Sequence, residues 1–284
     1  MNIGIGISIN NPAPLAGGPV YDSDYQAILT FASAQGFTPP SDAEKLLGSA
    51  LMAALKSAAT NGLSSYSIIN VHSTNINYAG SVPVNLGYTG IDWAAPGTNQ
   101  GSRTNTITQT VKKGYSSDGS TSYINTGINS NALLQNDCFF ANMVYNITPD
   151  LRSGVTNGSY EGVYLGYNGS ELTAAINGTA ITVSNATAGT TTGGDYFIAA
   201  VRDNNADFDV WVNGVNKTTV TNASVTPVAG DIEVLSANFI GGGGRFFSNA
   251  ANISGLTIIG KASEVDQAAL YTAVNTYLTA LAAL

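Results

Sequence analysis

Residues Asp207–Val220, DFDVWVNGVNKTTV, alternate apolar and polar side chains on both sides of Asn213-Gly214. Asn-Gly is the strongest short-range hairpin signal, because both central residues of a type I′ turn take positive φ. Alternation with period two marks a strand that buries one face. The stretch therefore predicts an antiparallel hairpin with Phe208, Val210 and Val212 on one face. Asp209, Trp211 and Asn213 take the other, with Asn216 across from them on the partner strand. Asn168-Gly169 and Asn177-Gly178 repeat the tip signal upstream.

Outward from this hairpin, strand-length runs separated by turn residues cover Tyr123–Ile128, Cys138–Ile147, Tyr160–Tyr167, Glu171–Ile176, Ala180–Ser184, Tyr196–Arg202, Ile232–Phe239 and Ile253–Ile259. Short strands at this spacing predict an antiparallel sandwich, jelly roll or barrel. Helix is expected only at the ends. Tyr25, Ile28, Leu29 and Ala32 recur at helical spacing over Ser23–Gln35, with Gly36 placed as a left-handed C′ residue and Pro39-Pro40 preventing continuation. Ser41 and Glu44 form a capping-box pattern ahead of a second apolar stripe that runs to Asn61. Leu270, Val274, Tyr277 and Leu281 share a face of a helix over Ser263–Leu281, expected to cap an open end of the sandwich. Met1–Ile9 reads as a short strand, and Tyr66–Val71 as another. Gly80–Arg103, rich in Gly, Pro and Asn, marks a boundary between an N-terminal docking region, 1–100, and a jelly roll, 101–284.

Only 10% of the 284 residues are charged, against about 25% in ordinary soluble domains. Asn, Thr, Ser and Gly take their place and hydrate a surface without like-charge repulsion, which suits packing against copies of the same chain. A net charge of −8 with no basic stripe excludes a nucleic-acid backbone as partner. No apolar run reaches the roughly 18 residues of a membrane span, so no membrane partner is expected. The lone cysteine, Cys138, has no intramolecular partner and reads as a packed core residue.

Three segments of the second half carry a resemblance: Gly119–Asn129 (GSTSYINTGIN), Asp207–Gly214 (DFDVWVNG), and Gly243–Ile259 (GGRFFSNAANISGLTII) followed by a helix containing Tyr277-Leu278-Thr279. They resemble the concanavalin A-like, laminin-G-type jelly rolls of tailed-phage virion proteins. The lead-in, Asp24-Tyr25-Gln26-Ala27 with Ala34-Gln35-Gly36-Phe37-Thr38, is similar to the segment preceding such jelly rolls in structural proteins of phages that infect Bacteroidetes. The resemblance implies a mainly β sandwich with an N-terminal helical hairpin and a C-terminal helix, and a structural or host-contacting role in a virion.

Catalytic constellations are sparse. Serine or cysteine nucleophiles need a base, and the one histidine, His72, ends a predicted strand with no Gly-x-Ser-x-Gly elbow nearby. Jelly rolls of this class include glucanases, so Glu161 and Glu171 call for a geometric test. With a two-residue turn at Asn168-Gly169, they stand about 16 Å apart along the sheet and on opposite faces, whereas a glycosidase needs about 5–10 Å. Gly241–Gly244 lacks the Lys and the helix of a phosphate loop. Asp203, Asn205 and Asp207 alternate oxygen ligands in a rhythm that can hold Ca²⁺, although the glycine and closing glutamate of an EF-hand are missing. The competing reading is a polar turn leading into the hairpin.

Glycan binding has the most support among ligand readings. Trp211 flanked by Asp209, Asn213 and Asn216 offers a stacking plane with directed hydrogen bonds, set against the alternative of a Trp that fills one side of the sandwich. Trp93, beside Asp92 and Tyr88, is a second platform. The sequence thus points to a non-enzymatic phage virion structural protein with a lectin-like exposed domain, a capsid decoration, head-fibre or tail component. Its expected partners are other virion proteins, copies of itself and host cell-surface glycans, and no cofactor is required. The alternative is a carbohydrate-binding module or adhesin.

Overall fold

The computed structural model describes residues 19–78, 82–157, 159, 161–241 and 244–284; the strand expected at Met1–Ile9 lies outside them. One sheet runs in the order β13 (Val215–Thr221), β12 (Asp207–Val212), β11 (Tyr196–Arg202), β6 (Cys138–Tyr145), β17 (Ile253–Gly260), β4 (Gly114–Ser116) and β3 (Thr108–Thr110), and β1 (Tyr66–Val71) also pairs along β17. The second runs β10 (Ile181–Ser184), β9 (Glu171–Thr179), β8 (Glu161–Tyr167), β7 (Leu151–Asn157), β14 (Asp231–Val234), β5 (Tyr123–Asn129) and β2 (Ser102–Thr104). From β7 branch β15 (Ser236–Ile240) and its partner β16 (Gly244–Phe247). The β15/β7 pair is parallel and the other pairs are antiparallel. Helices are α1 (Ser23–Ala34), α2 (Asp42–Ser57), a single turn α3 (Asn185–Ala188) and α4 (Gln267–Ala283). The chain is mainly β, an antiparallel jelly-roll sandwich with an N-terminal helical hairpin and a C-terminal helix.

Alternation along the strands sorts side chains into two layers. Phe140, Val144, Ile198, Ala200, Val210 and Ile259 point inward and meet Val155, Val163, Leu165, Leu172 and Ile176 of the second sheet. Their neighbours in sequence, Phe139, Ala141, Phe197, Ala199 and Ile258, point outward and meet Tyr25, Leu55, Leu270, Val274 and Tyr277 of the helices. The central strands of the first sheet are therefore buried on both faces, which is why β6 and β11 read as continuous apolar runs. This corrects one expectation: α4 lies over the outer face of that sheet and does not close an end of the sandwich. β1, on the N-terminal side of residue 100, belongs to the same sheet, in register Ile69↔Ile258.

The three Asn-Gly sites differ. Asn213 (φ 52°) and Gly214 (φ 72°) make the expected two-residue turn, closed by Val212↔Val215. At Asn168 the chain takes a wider turn: the Asn168 side-chain oxygen accepts from Ser170 N and Glu171 N, and the last cross-strand pair is Tyr167↔Leu172. Asn177 (φ 47°) is no turn tip but a bulge within β9, between the pairs Val163↔Ile176 and Gly162↔Gly178, and its buried Nδ2 donates to the carbonyls of Leu134 and Gln135 and to Cys138 Sγ. The capping box is half formed: Ser41 Oγ accepts from Glu44 N, but the Glu44 carboxylate turns inward and accepts from Asn75 N at 2.9 Å. Ile232–Phe239 splits at Leu235 (φ 66°) into β14 and β15. Strands β2, β3, β4, β7 and β16 escape the sequence reading because Ser, Arg, Thr and Gly dilute their alternation.

Candidate functional site

The hairpin face forms as its alternation predicts. Phe208, Val210 and Val212 are buried, while Asp209, Trp211 and Asn213 are half-buried on the other side. A bulge after Val210 sets Trp211 opposite Asn216. The four residues do not converge on one site. Asp209 Oδ1 accepts from Thr219 Oγ1 at 2.5 Å, and exposed Asn216 donates to the same hydroxyl at 3.3 Å. Trp211 packs against the helix-side core. Of the four, Asn213 alone lines a cleft, with Oδ1 accepting from Phe197 N at 2.9 Å.

Trp93 is in the core, 1% exposed, its ring 5.3 Å from that of Tyr25 and 6.3 Å from that of Tyr88. It offers no platform to solvent. Beside it, Asp92 Oδ1 accepts from Ile69 N and Ala94 N, tying residues 91–93 to β1, and burial pushes its carboxyl up to about 6. Around Asp203, Asn205 and Asp207 the turn is organised by Asn204. Its Oδ1 accepts from Ala206 N and Asp207 N, and its Nδ2 donates to Asp203 Oδ1. Among the described residues no group of three or more His, Cys, Asp or Glu side chains is placed to hold a metal ion. His72 is fully buried, its imidazole pushed down to about 4 by that burial. Cys138 is buried as expected, its thiol pushed up to about 12 by burial.

Asn213 belongs to a cleft of about 520 Å³ between α4 and the outer face of the first sheet, a size typical of small-ligand sites. Its floor is Met143, Tyr145 and Phe197, which alternation on β6 and β11 turns outward. Tyr271, Val274, Asn275 and Leu278 of α4 form one wall, at the i, i+3, i+4 and i+7 spacing of a helix face. The opposite wall is the β3/β4 turn, Val111-Lys112-Lys113. Lys112 takes φ 67° there, and Gly114 follows because a Cβ at that position would lie 2.0 Å from the Ser254 carbonyl. Ser73 Oγ donates to Lys113 O, pinning the turn to the end of β1.

Charge is divided along the cleft. Lys112 Nζ donates to Ala282 O at 3.4 Å, at the electronegative end of α4. Lys113 Nζ lies 5.6 Å from the centroid of the Tyr145 ring. Asp195 lies at the other side, where Oδ1 accepts from Asn146 N at 2.9 Å. Tyr145 is 8% exposed, and burial pushes its phenol up to about 12, so it remains a neutral ring and donor. Aromatic floor, amides, a carboxylate and ammonium groups in one concave space can hold a polar ligand with an apolar face. A second groove of about 510 Å³, between α2 and α4, is lined by alanines, Leu47 and hydroxyls, and lacks amides and charges.

Of this set only Asn213 stands out in the sequence, by its place at the hairpin tip. One signal was available: Lys112-Lys113 is the only adjacent pair of basic residues in the chain. Tyr145, Asp195, Tyr271 and Asn275 lie on separate elements, and only the fold brings them together.

No family model matches the chain, and no curated protein does. Among solved structures it is similar to a sialidase from Trypanosoma rangeli, with TM-score 0.53, 10% identity, and coverage of 89% of this chain and 38% of the sialidase. A second structure of that enzyme, with 2,3-difluorosialic acid, gives TM-score 0.51, 11% identity and the same coverage, 89% and 38%. Domain 4 of an extracellular GH43 arabinanase from Geobacillus stearothermophilus, in complex with arabinotriose, aligns at TM-score 0.41 and 14% identity over 61% of this chain and 87% of that one. At these identities the likeness to the sialidase establishes a shared β-sandwich fold, and the arabinanase alignment adds no argument. The chain spans little over a third of the sialidase, 38%.

Proposed function

We propose that the chain is a non-catalytic saccharide-binding module whose ligand lies in the cleft between α4 and the outer face of the helix-bearing sheet. The observation that carries this reading is the convergence there of Tyr145 and Tyr271 with Asn213, Asn275 and Asp195. Sugars present apolar faces edged with hydroxyls, and aromatic rings beside amides and a carboxylate match both features. Catalysis has less support. Glu161 pairs with Thr179, so Glu171 lies roughly 25 Å away along β9 at about 3.3 Å per residue, farther than the narrower turn predicts. A glycan array probed with wild type and with Asn275→Trp, which fills the cleft mouth from an exposed position, tests the reading. Binding that the variant abolishes supports it; binding that the variant leaves unchanged removes the cleft from it.

A place in a tailed-phage virion, as a capsid decoration, head-fibre or tail component, completes the proposal. Its support is the resemblance of Gly119–Asn129 and the lead-in around Asp24–Ala27, together with the low charge of the surface. Mass spectrometry of purified virions tests it, and absence of the chain from particles would overturn this part alone.

A further inference from the structure

We infer that the saccharide is anionic, bound with its carboxylate or sulfate at the Lys112–Lys113 end of the cleft and its hydroxyl edge against Asp195 and Asn213. The inference rests on the cleft being a saccharide site and adds the class of sugar and its direction. The chain carries a net charge of −8 and 10 basic residues, so two adjacent lysines on one wall of a ligand-sized space are an uncommon use of positive charge. None of the ion pairs among the described residues involves Lys113. At 5.6 Å from the Tyr145 centroid it sits near the outer limit of about 6 Å for a cation over a ring, with three N–H donors to offer a ligand.

The sheet sets the distance between the ends. Asp195 immediately precedes β11 and Lys113 immediately precedes β4, and the strand order between them is β11, β6, β17, β4. Three steps of about 4.8 Å separate the two backbones by roughly 14 Å, and the Lys113 side chain spans part of that distance, bringing its Nζ to 5.6 Å from the Tyr145 centroid. Asp195 repels an anion from its own end while accepting hydroxyl hydrogen bonds, so the same charge that holds the neutral edge enforces the orientation. A neutral sugar would accept hydrogen bonds from the lysine wall but gain no ion pairing there.

The test is an array of length-matched neutral, carboxylated and sulfated oligosaccharides, followed by titration calorimetry of the best binders with wild type and Lys113→Gln. Lys113 is exposed, and a melting curve for each protein checks that the fold is kept. The expected result is preferential binding of carboxylated or sulfated sugars, weakened about tenfold by Lys113→Gln, the size of one lost charge-assisted hydrogen bond. That binding also weakens as salt rises, because the lysine is solvent-facing. The carboxylated and sulfated arms identify which anion is preferred. Equal binding of neutral sugars, indifferent to Lys113→Gln, overturns the inference and leaves the saccharide reading standing. Anionic binding that survives Lys113→Gln overturns it as well, by placing the anion elsewhere. No binding to any sugar overturns both.

Discussion

The inner and outer faces of the helix-bearing sheet are built from the same strands and behave differently. Inside, side chains of two sheets interdigitate in a mainly apolar layer, from Phe140 to Ile259, and its few polar groups are paired across the sheets, Asn142 with Ser153 and Arg202 with the Ile176 carbonyl. Outside, three helices cover a twisted sheet incompletely. This layer carries tyrosine hydroxyls in contact with one another, such as Tyr25 and Tyr88 at 2.8 Å, the buried carboxylates of Glu44 and Asp92, and a cleft where α4 stands away from β6 and β11. Sheet-on-sheet packing fills space uniformly because both surfaces repeat with the same period. A rod laid on a sheet leaves gaps at its sides, and ligand chemistry gathers there.

The largest expected effect tests the inner face. Phe140→Ala opens a cavity between the sheets and should cost about 3–5 kcal/mol by urea unfolding, with the whole sandwich unfolding as one unit. A loss below about 1 kcal/mol would mean that the inner layer is not the main source of stability.

Next is His72, buried where β1 ends. Its folded value of about 4 lies below the ordinary 6.5, so between those values the unfolded chain binds the extra proton and the fold loses stability as pH falls. Asp92, raised to about 6, acts in the opposite direction over part of that range. His72→Leu removes the first contribution and should flatten the fall in stability from pH 7 to pH 4 by about 3 kcal/mol. An unchanged slope would mean that His72 becomes protonated in the fold.

Gly48→Ala sharpens the contrast from the outer side. A Cβ there would lie 2.4 Å from the Tyr25 ring, wedging α1 off α2 at a cost of about 1–3 kcal/mol. Hydrogen exchange should show α1 losing protection while β6 and β11 keep theirs. Equal loss in both would make the helical layer inseparable from the sandwich. The smallest effect is expected from Gly214→Ala, about 1–2 kcal/mol for left-handed backbone at φ 72°, with the new methyl pressed to 2.7 Å from Tyr271. Its clearer readout is reduced saccharide affinity through displacement of that ring.

The same contrast explains how much was legible in the sequence. Alternation in Phe208–Val212, the type I′ turn at Asn213-Gly214 and the helix stripes at Tyr25, Leu51 and Leu270 are local signals, and they located the sandwich and its helices. Where long-range hydrogen bonds overrode the local pattern, at Asn177 and Glu44, the reading failed in detail, and at Asn168 the side chain's own bonds to Ser170 N and Glu171 N widened the turn. The Trp211 face was read correctly as a face but not as a site, because whether α4 covers it is a property of the assembled layers. Trp93 misled for the same reason: a glycine-rich flank resembles an exposed loop until Asp92 is seen binding Ile69 N. Asp195 and Lys113, more than eighty residues apart in sequence, share a cleft only through the strand order.

The most direct test of the central claim is a crystal structure of the protein with an array-selected anionic oligosaccharide. Sugar density is expected over Tyr145 between α4 and the β3/β4 turn, with the anionic group within hydrogen-bond distance of Lys113 and a hydroxyl on Asp195. Density on the opposite sheet, with the α4 cleft holding only water, would contradict it.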